Sequence, residues 1–312
     1  MSSVITDPEV LAFIAKTDSY YPLETVDFSI ERQRQIYDGM CAAFRVRHPE
    51  SVATRDGQFD GPAGALRYRQ YTPVGARRGR VLYFHGGGFV VGGLESHDDV
   101  CAEIAALCAV AVVSIDYRLC PEHPHPAAFD DAVAAAQVFS DKPLILCGDS
   151  AGGNLAAAVA LSHPDDVAGQ VLIYPGLGGN ALSLPSYSER ADAPLLSTRD
   201  VLSYGVIRGG GAAPDADPTF SPLLSRSFSG APPCFVSAAE HDPLRDDGPE
   251  FVARLRDAGV NAECVVEPEL PHAHLRARHI SRRGREAFER ICTAISGFLD
   301  EDLGEDPAPI VR

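Results

Sequence analysis

Ser150, Asp242 and His272 are the residues whose types and order suggest covalent chemistry. Ser150 sits in Gly148-Asp149-Ser150-Ala151-Gly152, a G-x-S-x-G pattern. An apolar run, Pro143 to Cys147, precedes it, and an Ala/Leu/Val run follows Gly153-Asn154. That layout reads as strand, tight turn and helix, the elbow that presents a nucleophile. A residue on so sharp a turn has a strained backbone. Side chains two positions either side would collide, so Gly148 and Gly152 carry none. Ser150 Oγ is then pushed out at the C-terminal end of the strand. The first helical turn sets unpaired N–H groups beside it, including that of Ala151, where they can stabilise charge on a substrate oxygen. The pattern alone also occurs in ordinary strand-to-helix turns, but this setting favours the chemical reading. That reading demands three further parts: a backbone oxyanion loop earlier in the chain, then an acid, then a histidine.

The loop is found at His85-Gly86-Gly87-Gly88-Phe89, directly after the apolar run Arg80 to Phe84. Consecutive glycines let a backbone approach a ligand and expose its N–H groups. A flexible turn is the plain alternative. A phosphate loop is disfavoured because no Gly-Lys-Ser/Thr follows. His85 reads as a hydrogen-bonding residue that shapes the loop. The acid and the base each follow a strand: Asp242 after 233–238, His272 after 261–267. Glu240, Asp246 and Asp247 compete with Asp242, but the last two open the next helix, where carboxylates commonly satisfy a helix terminus. His274 and His279 compete with His272, with His241 behind them; His272 is favoured. A histidine can take the serine proton during attack and return it to the leaving group. An aspartate fixes the imidazole orientation and stabilises its cation.

These residues need a scaffold whose strand ends converge. Strands are expected at Ala65–Tyr71, Arg80–Phe84, Ala109–Ile115, the elbow strand, Gln170–Tyr174, Pro233–Ala238 and Asn261–Glu267. Helices are expected at Ser96–Cys108, Ala127–Phe139, Gly248–Ala258 and Arg285–Leu299, between or after them. Ser96 can cap its helix, whose inner face would be Val100, Ile104 and Leu107. The alternation predicts an α/β fold with a mostly parallel sheet and right-handed crossovers. Parallel strands put the loops after them on one edge, where residues distant in sequence meet. Residues 1–55 carry two helical stretches instead. One starts at Thr6-Asp7-Pro8-Glu9 and one covers about 29–46, with Ile36, Met40 and Phe44 on one face. Packing onto the main body and a lid over the site are equally open for them. Residues 176–229 break the alternation, with one helical stretch near Thr198–Ile207. An insertion this long above the strand ends suits substrate-pocket walls better than a bare surface excursion. The core is then 56–175 and 230–300, with an acidic tail over 301–312 that is expected to fray.

Composition narrows the function class. The chain has 312 residues, 45% hydrophobic and 22% charged, ordinary for a globular protein with a large core. A formal charge of −16 argues against nucleic acid or an anionic membrane as partner. No apolar run is long enough to span a bilayer, and MSSVITDPEV lacks the layout of a signal peptide. The eight cysteines form no CxxC pair, so no metal or redox motif is supported. They read as reduced core thiols of a cytoplasmic protein.

The chain resembles the hormone-sensitive-lipase-like family of α/β-hydrolases, which includes many bacterial carboxylesterases. The resemblance rests on HGGGF at 85–89, DYRLCPEHPHPAA at 116–128, GDSAGG at 148–153, DPLRDDG at 242–248 and HAHLRAR at 272–278. These pieces stand in family order across roughly residues 65–299 and are jointly specific. The resemblance implies an α/β-hydrolase fold, with Ser150, Asp242 and His272 as the triad. It implies oxyanion donors from Gly87, Gly88 and Ala151, with Gly86 beside them. It also implies a helical cap built from 1–55 and 176–229. The family shows His-Gly-aromatic at the base, whereas this chain has His272-Ala273-His274. Such proteins hydrolyse short-chain acyl esters without a cofactor. There is no tryptophan to line an acyl pocket; Phe89, Tyr187, Tyr204 and Phe220 are the aromatic candidates. An amidase or deacetylase on the same machinery is the nearer rival, and a non-catalytic binder the further one. Oligomeric state is left open, with a homodimer through an exposed helix or strand edge compatible with the sequence.

Overall fold

In the computed structural model, which describes residues 4–303 except 141–142, 164–166 and 215, the apolar runs assemble into one eight-stranded sheet. In chain order the strands are β1 (Val52–Gly61), β2 (Gly64–Pro73), β3 (Arg77–Phe84), β4 (Val110–Ile115), β5 (Leu144–Asp149), β6 (Gly169–Ile173), β7 (Cys234–His241) and β8 (Ala262–Pro271). Across the sheet they run β1-β2-β4-β3-β5-β6-β7-β8. β1 and β2 form an antiparallel hairpin, and β2 lies antiparallel to β4. From β4 through β3 to β8 every neighbouring pair is parallel.

Strands covered on both faces read as continuous apolar runs, and alternate residues of each run enter different cores. Leu82, Phe84, Leu144 and Leu146 face one layer, with helices α4 (Ala127–Val138), α5 (Ala151–Ser162) and α8 (Asp247–Asp257). Val81, Tyr83, Ile145 and Cys147 face the other, with α3 (Asp98–Cys108) and α9 (Arg282–Leu303). All eight cysteines are free thiols; seven are buried and Cys264 is half-buried. Among the described residues no helix is long and apolar enough to cross a membrane.

The N-terminal stretch forms α1 (Pro8–Asp18) and α2 (Ile30–Phe44). Asp7 caps α1 by accepting from Glu9 N and Val10 N, and Ser29 caps α2 by accepting from Arg32 N. Ile36, Met40 and Phe44 are buried as their spacing predicts. Phe13 meets Phe44 edge-to-face at 5.7 Å. Arg34 ties α2 to the core loops through Glu122, Val90 O and Cys120 O. The 176–229 segment holds α6 (Ser186–Glu189) and α7 (Thr198–Arg208), the latter opened by a capping box of Ser197 and Asp200.

Several expectations need correction. β1 was not foreseen: as an edge strand with mostly exposed residues it shows no apolar alternation. Ser96 does not cap α3. Its hydroxyl bonds back to Gly93 instead, and the helix starts at Asp98 after His97. Leu107 points outward, 61% exposed, while Val100, Ile104 and Cys108 form the buried face. α9 runs from Arg282 to Leu303, beyond Leu299, with Asp300 paired to Arg77. Of the expected tail 301–312, residues 304–312 lie outside the described residues.

Candidate active site

The parallel strands β3, β5, β7 and β8 deliver four chain segments to one edge of the sheet. Ser150 follows β5 with φ 53° and ψ −114°, a conformation a serine holds only when its surroundings impose it. The glycines permit this. A Cβ on Gly148 would lie 2.4 Å from Gly152 C, and one on Gly152 would lie 1.9 Å from Phe84 O. β3 and α5 therefore approach to backbone contact beneath the serine.

Asp242 and His272 arrive together because of the β7–β8 register. The ladder shifts between Ala239 and His241, and His241 then pairs with Pro271. The first residues after the two strands are Asp242 and His272. Asp242 is fully buried and accepts from His272 Nδ1 at 2.6 Å and from Leu244 N at 2.9 Å. A carboxylate can only accept, so the ring proton resides on Nδ1. The bare Nε2 faces Ser150 Oγ at 3.0 Å. The structure thus brings the three residues into one hydrogen-bonded chain.

The competing residues are engaged elsewhere. Glu240 accepts from Glu269 N. Asp246 accepts from Ser186 N, and Asp247 from Leu177 N, Gly179 N and the Tyr187 hydroxyl. Neither caps its own helix as expected; both hold the 176–229 segment. Burial outweighs those donors at Asp247 and pushes its carboxyl up to about 7. His274 is fully buried against the Tyr174 ring at 4.8 Å, and neither ring nitrogen has a partner among the described residues. Burial pushes it down to about 3, so it stays neutral. His279 pairs with Glu103, and His241 lies 3.9 Å from Glu240.

The glycine loop stands against the elbow. Gly87 and Gly88 have φ 129° and 60°. A Cβ on Gly87 would meet Val91 O at 2.2 Å, and one on Gly88 the Tyr204 ring at 2.8 Å. Among the described residues the amides of Gly87, Gly88 and Ala151 donate to no protein atom, whereas Gly86 N donates to Asp149 Oδ1. Gly86 therefore anchors the loop and has no proton left for a ligand. His85 donates from Nδ1 to Gly86 O, stacks on Tyr117 at 4.3 Å, and is pushed down to about 4 by burial. It shapes the loop, as its position suggested.

Asp149 is the anchoring residue that the sequence reading passed over, although it sits inside the elbow pattern. It accepts from Tyr83 Oη, Gly86 N and His97 Nε2 at 2.8, 2.9 and 3.2 Å. Burial alone would raise this carboxyl, but His97 and the hydrogen bonds hold it well below the usual carboxylate range.

A cavity of about 330 Å³ opens over Ser150 and His272. The four aromatic candidates, Phe89, Tyr187, Tyr204 and Phe220, all line it. So do Tyr21 and Tyr37 from the N-terminal region and Arg276 from the His272 loop, which periodicity could not have placed. Among the described residues no group of three or more His, Cys, Asp or Glu is arranged to hold a metal ion.

A strand-to-helix elbow, a glycine loop after β3 and an acid and histidine after β7 and β8 define a class of fold and site. A model of the α/β-hydrolase fold matches residues 81–276. The chain belongs to the α/β-hydrolase family, in its hormone-sensitive-lipase-like branch. It is 38% identical to the carboxylesterase NlhH of Mycobacterium tuberculosis over 274 residues, 81% of this chain and 83% of that protein. The esterase LipI of the same organism is 37% identical over 270 residues, covering 81% and 84%. Among solved structures, the ester-hydrolase EH1AB1 from the Lake Arreo metagenome, complexed with a bipyridine phosphonate derivative, superposes with a TM-score of 0.86. It is 32% identical, and the match covers 93% of this chain and 98% of that one.

Proposed function

We propose that this protein is a serine carboxylesterase that hydrolyses short-chain acyl esters through an acyl-enzyme. The observation that carries the proposal is the chain of contacts Ser150 Oγ to His272 Nε2 at 3.0 Å and His272 Nδ1 to Asp242 at 2.6 Å. Ser150 Oγ attacks the ester carbonyl carbon while His272 Nε2 takes the hydroxyl proton. The carbonyl oxygen becomes an oxyanion and is met by the amides of Gly87, Gly88 and Ala151. Asp242 stabilises the imidazolium. His272 then protonates the departing alkoxide, leaving the acyl group on Ser150. Water, deprotonated by His272, attacks the acyl carbon, and the acid leaves as Ser150 recovers its proton. α1, α2 and the 176–229 segment serve as the cap that walls the cavity.

The first experiment is hydrolysis of p-nitrophenyl esters from acetate to laurate, beside the Ser150→Ala variant. Rates should peak at the short chains, and kcat should fall about a millionfold in the variant with folding intact. Full activity in the variant would sink the mechanism. No ester turnover together with an unreactive Ser150 towards an organophosphate probe would favour a non-catalytic binder. Labelling without ester turnover would direct the search to amides.

A further inference from the structure

One wall of the cavity carries a guanidinium that no carboxylate of the described residues contacts. Arg276 lies four residues after His272, on the 3₁₀ turn His274–Ala277. It is 7% exposed and lines the same cavity as Ser150. Its Nη1 donates to Ser96 O at 3.2 Å and its Nη2 to Tyr37 Oη at 3.0 Å. Both partners are neutral. Other arginines pulled from solvent end on carboxylates: Arg278 on Asp99 and Glu103, Arg118 on Asp131, Arg69 on Asp56 and Asp98. Arg208 lacks one too, but it is held by the carbonyls of Phe220 and Thr219 and by Asn154, between the Phe89 and Phe220 rings. Arg276 has no carboxylate within ion-pair distance among the described residues. It feels the field of Asp149, but that group is already bonded to Tyr83, Gly86 and His97.

Hydrogen-bond donors at this wall remain unused. Among the described residues Arg276 Nε has no hydrogen-bond partner, and the Tyr37 hydroxyl, having accepted from Arg276, still has its own proton to give. Tyr37 lines the cavity as well, edge-on to Tyr21 at 6.4 Å. A desolvated guanidinium without a counter-ion is costly, and its planar fork suits a carboxylate. The position on the His272 loop says which half of an ester would bring that carboxylate. His272 must reach the leaving oxygen, so the alcohol half lies on its side of the cavity.

We propose that Arg276, with the Tyr37 hydroxyl, binds a carboxylate on the alcohol half of the substrate, so that the preferred esters are acylated hydroxy acids. This rests on the esterase reading above, and the test separates the two. The probes are 2-acetoxypropanoate and its neutral partner 2-acetoxypropanamide, which share acyl group, reacting carbonyl and size. p-Nitrophenyl acetate serves as the neutral reference. Wild type should show a kcat/KM at least about tenfold higher for the carboxylate, mainly through KM. That ratio should collapse towards one in Arg276→Met and shrink in Tyr37→Phe, which keeps the ring and the packing of α2. Lactate should inhibit wild-type hydrolysis of p-nitrophenyl acetate competitively, and lactamide should not. Equal turnover of acid and amide, with p-nitrophenyl acetate hydrolysed, would overturn the anion site and leave the esterase standing. A preference for monoethyl succinate over 2-acetoxypropanoate would overturn the assignment to the alcohol half. If no ester is hydrolysed, the esterase reading fails alone. Calorimetric titration of wild type with lactate and lactamide then decides the site, and failure of the anion to bind removes it.

Discussion

Asp242 differs from the carboxylates around it in what reaches it. Glu240 and Asp246 accept backbone amides, and Asp247 is enclosed by two amides and a tyrosine hydroxyl. Only Asp242 receives a histidine that also faces Ser150. In the proposed mechanism its charge fixes the His272 tautomer. Asp242→Asn would offer an N–H to Nδ1 and drive the ring proton to Nε2, where it blocks the serine. We expect kcat to fall about ten-thousandfold with KM little changed. Glu240→Gln, measured beside it, should leave kcat in place. Equal losses from both would show that the acid has been misassigned.

At the scale of elements, the elbow depends on contact between α5 and the end of β3. Gly152→Ala sets a methyl 1.9 Å from Phe84 O, a backbone atom that cannot rotate away. The variant should lose about 3 kcal/mol in urea unfolding and lose esterase activity with it. Gly39 provides the contrast. It is exposed within α2, with nothing within 4 Å of an added Cβ. Gly39→Ala should therefore stabilise by about 0.5–1 kcal/mol. Elements with buried faces were legible in the sequence because burial on both sides leaves unbroken apolar runs. β1 was not, since an edge strand needs no apolar pattern to pair.

For the whole molecule, two buried neutral histidines set an acid limit. Burial pushes His85 down to about 4 and His274 to about 3, from an ordinary value near 6.5. As pH falls below 6.5 the unfolded chain takes up these protons and the folded chain does not. Stability is therefore present above 6.5 and declines as pH falls towards 4, by up to about 1.4 kcal/mol per pH unit for each histidine. Urea midpoints should drop between pH 7 and pH 5. His274→Phe keeps an aromatic ring against Tyr174 and removes one titrating group, so its slope over this window should be shallower than wild type's. Parallel slopes would mean that His274 is not buried in its neutral form.

The sequence by itself determined the elbow, the glycine loop and the order of nucleophile, acid and base. These depend on local rules: a strained turn excludes side chains at fixed offsets, and strands buried on both faces must be apolar. It also carried the alternation of strand and helix that brings the loops to one edge. The tertiary structure alone decided how rival residues divide. A two-residue shift in the β7–β8 ladder sets Asp242 beside His272, while the insertion's own amides claim Asp246 and Asp247. It alone placed Tyr37 and Arg276, 239 residues apart, at hydrogen-bond distance on the cavity wall. No local pattern records such a meeting, because a polar side chain's partner is chosen by where distant segments pack, not by its neighbours along the chain.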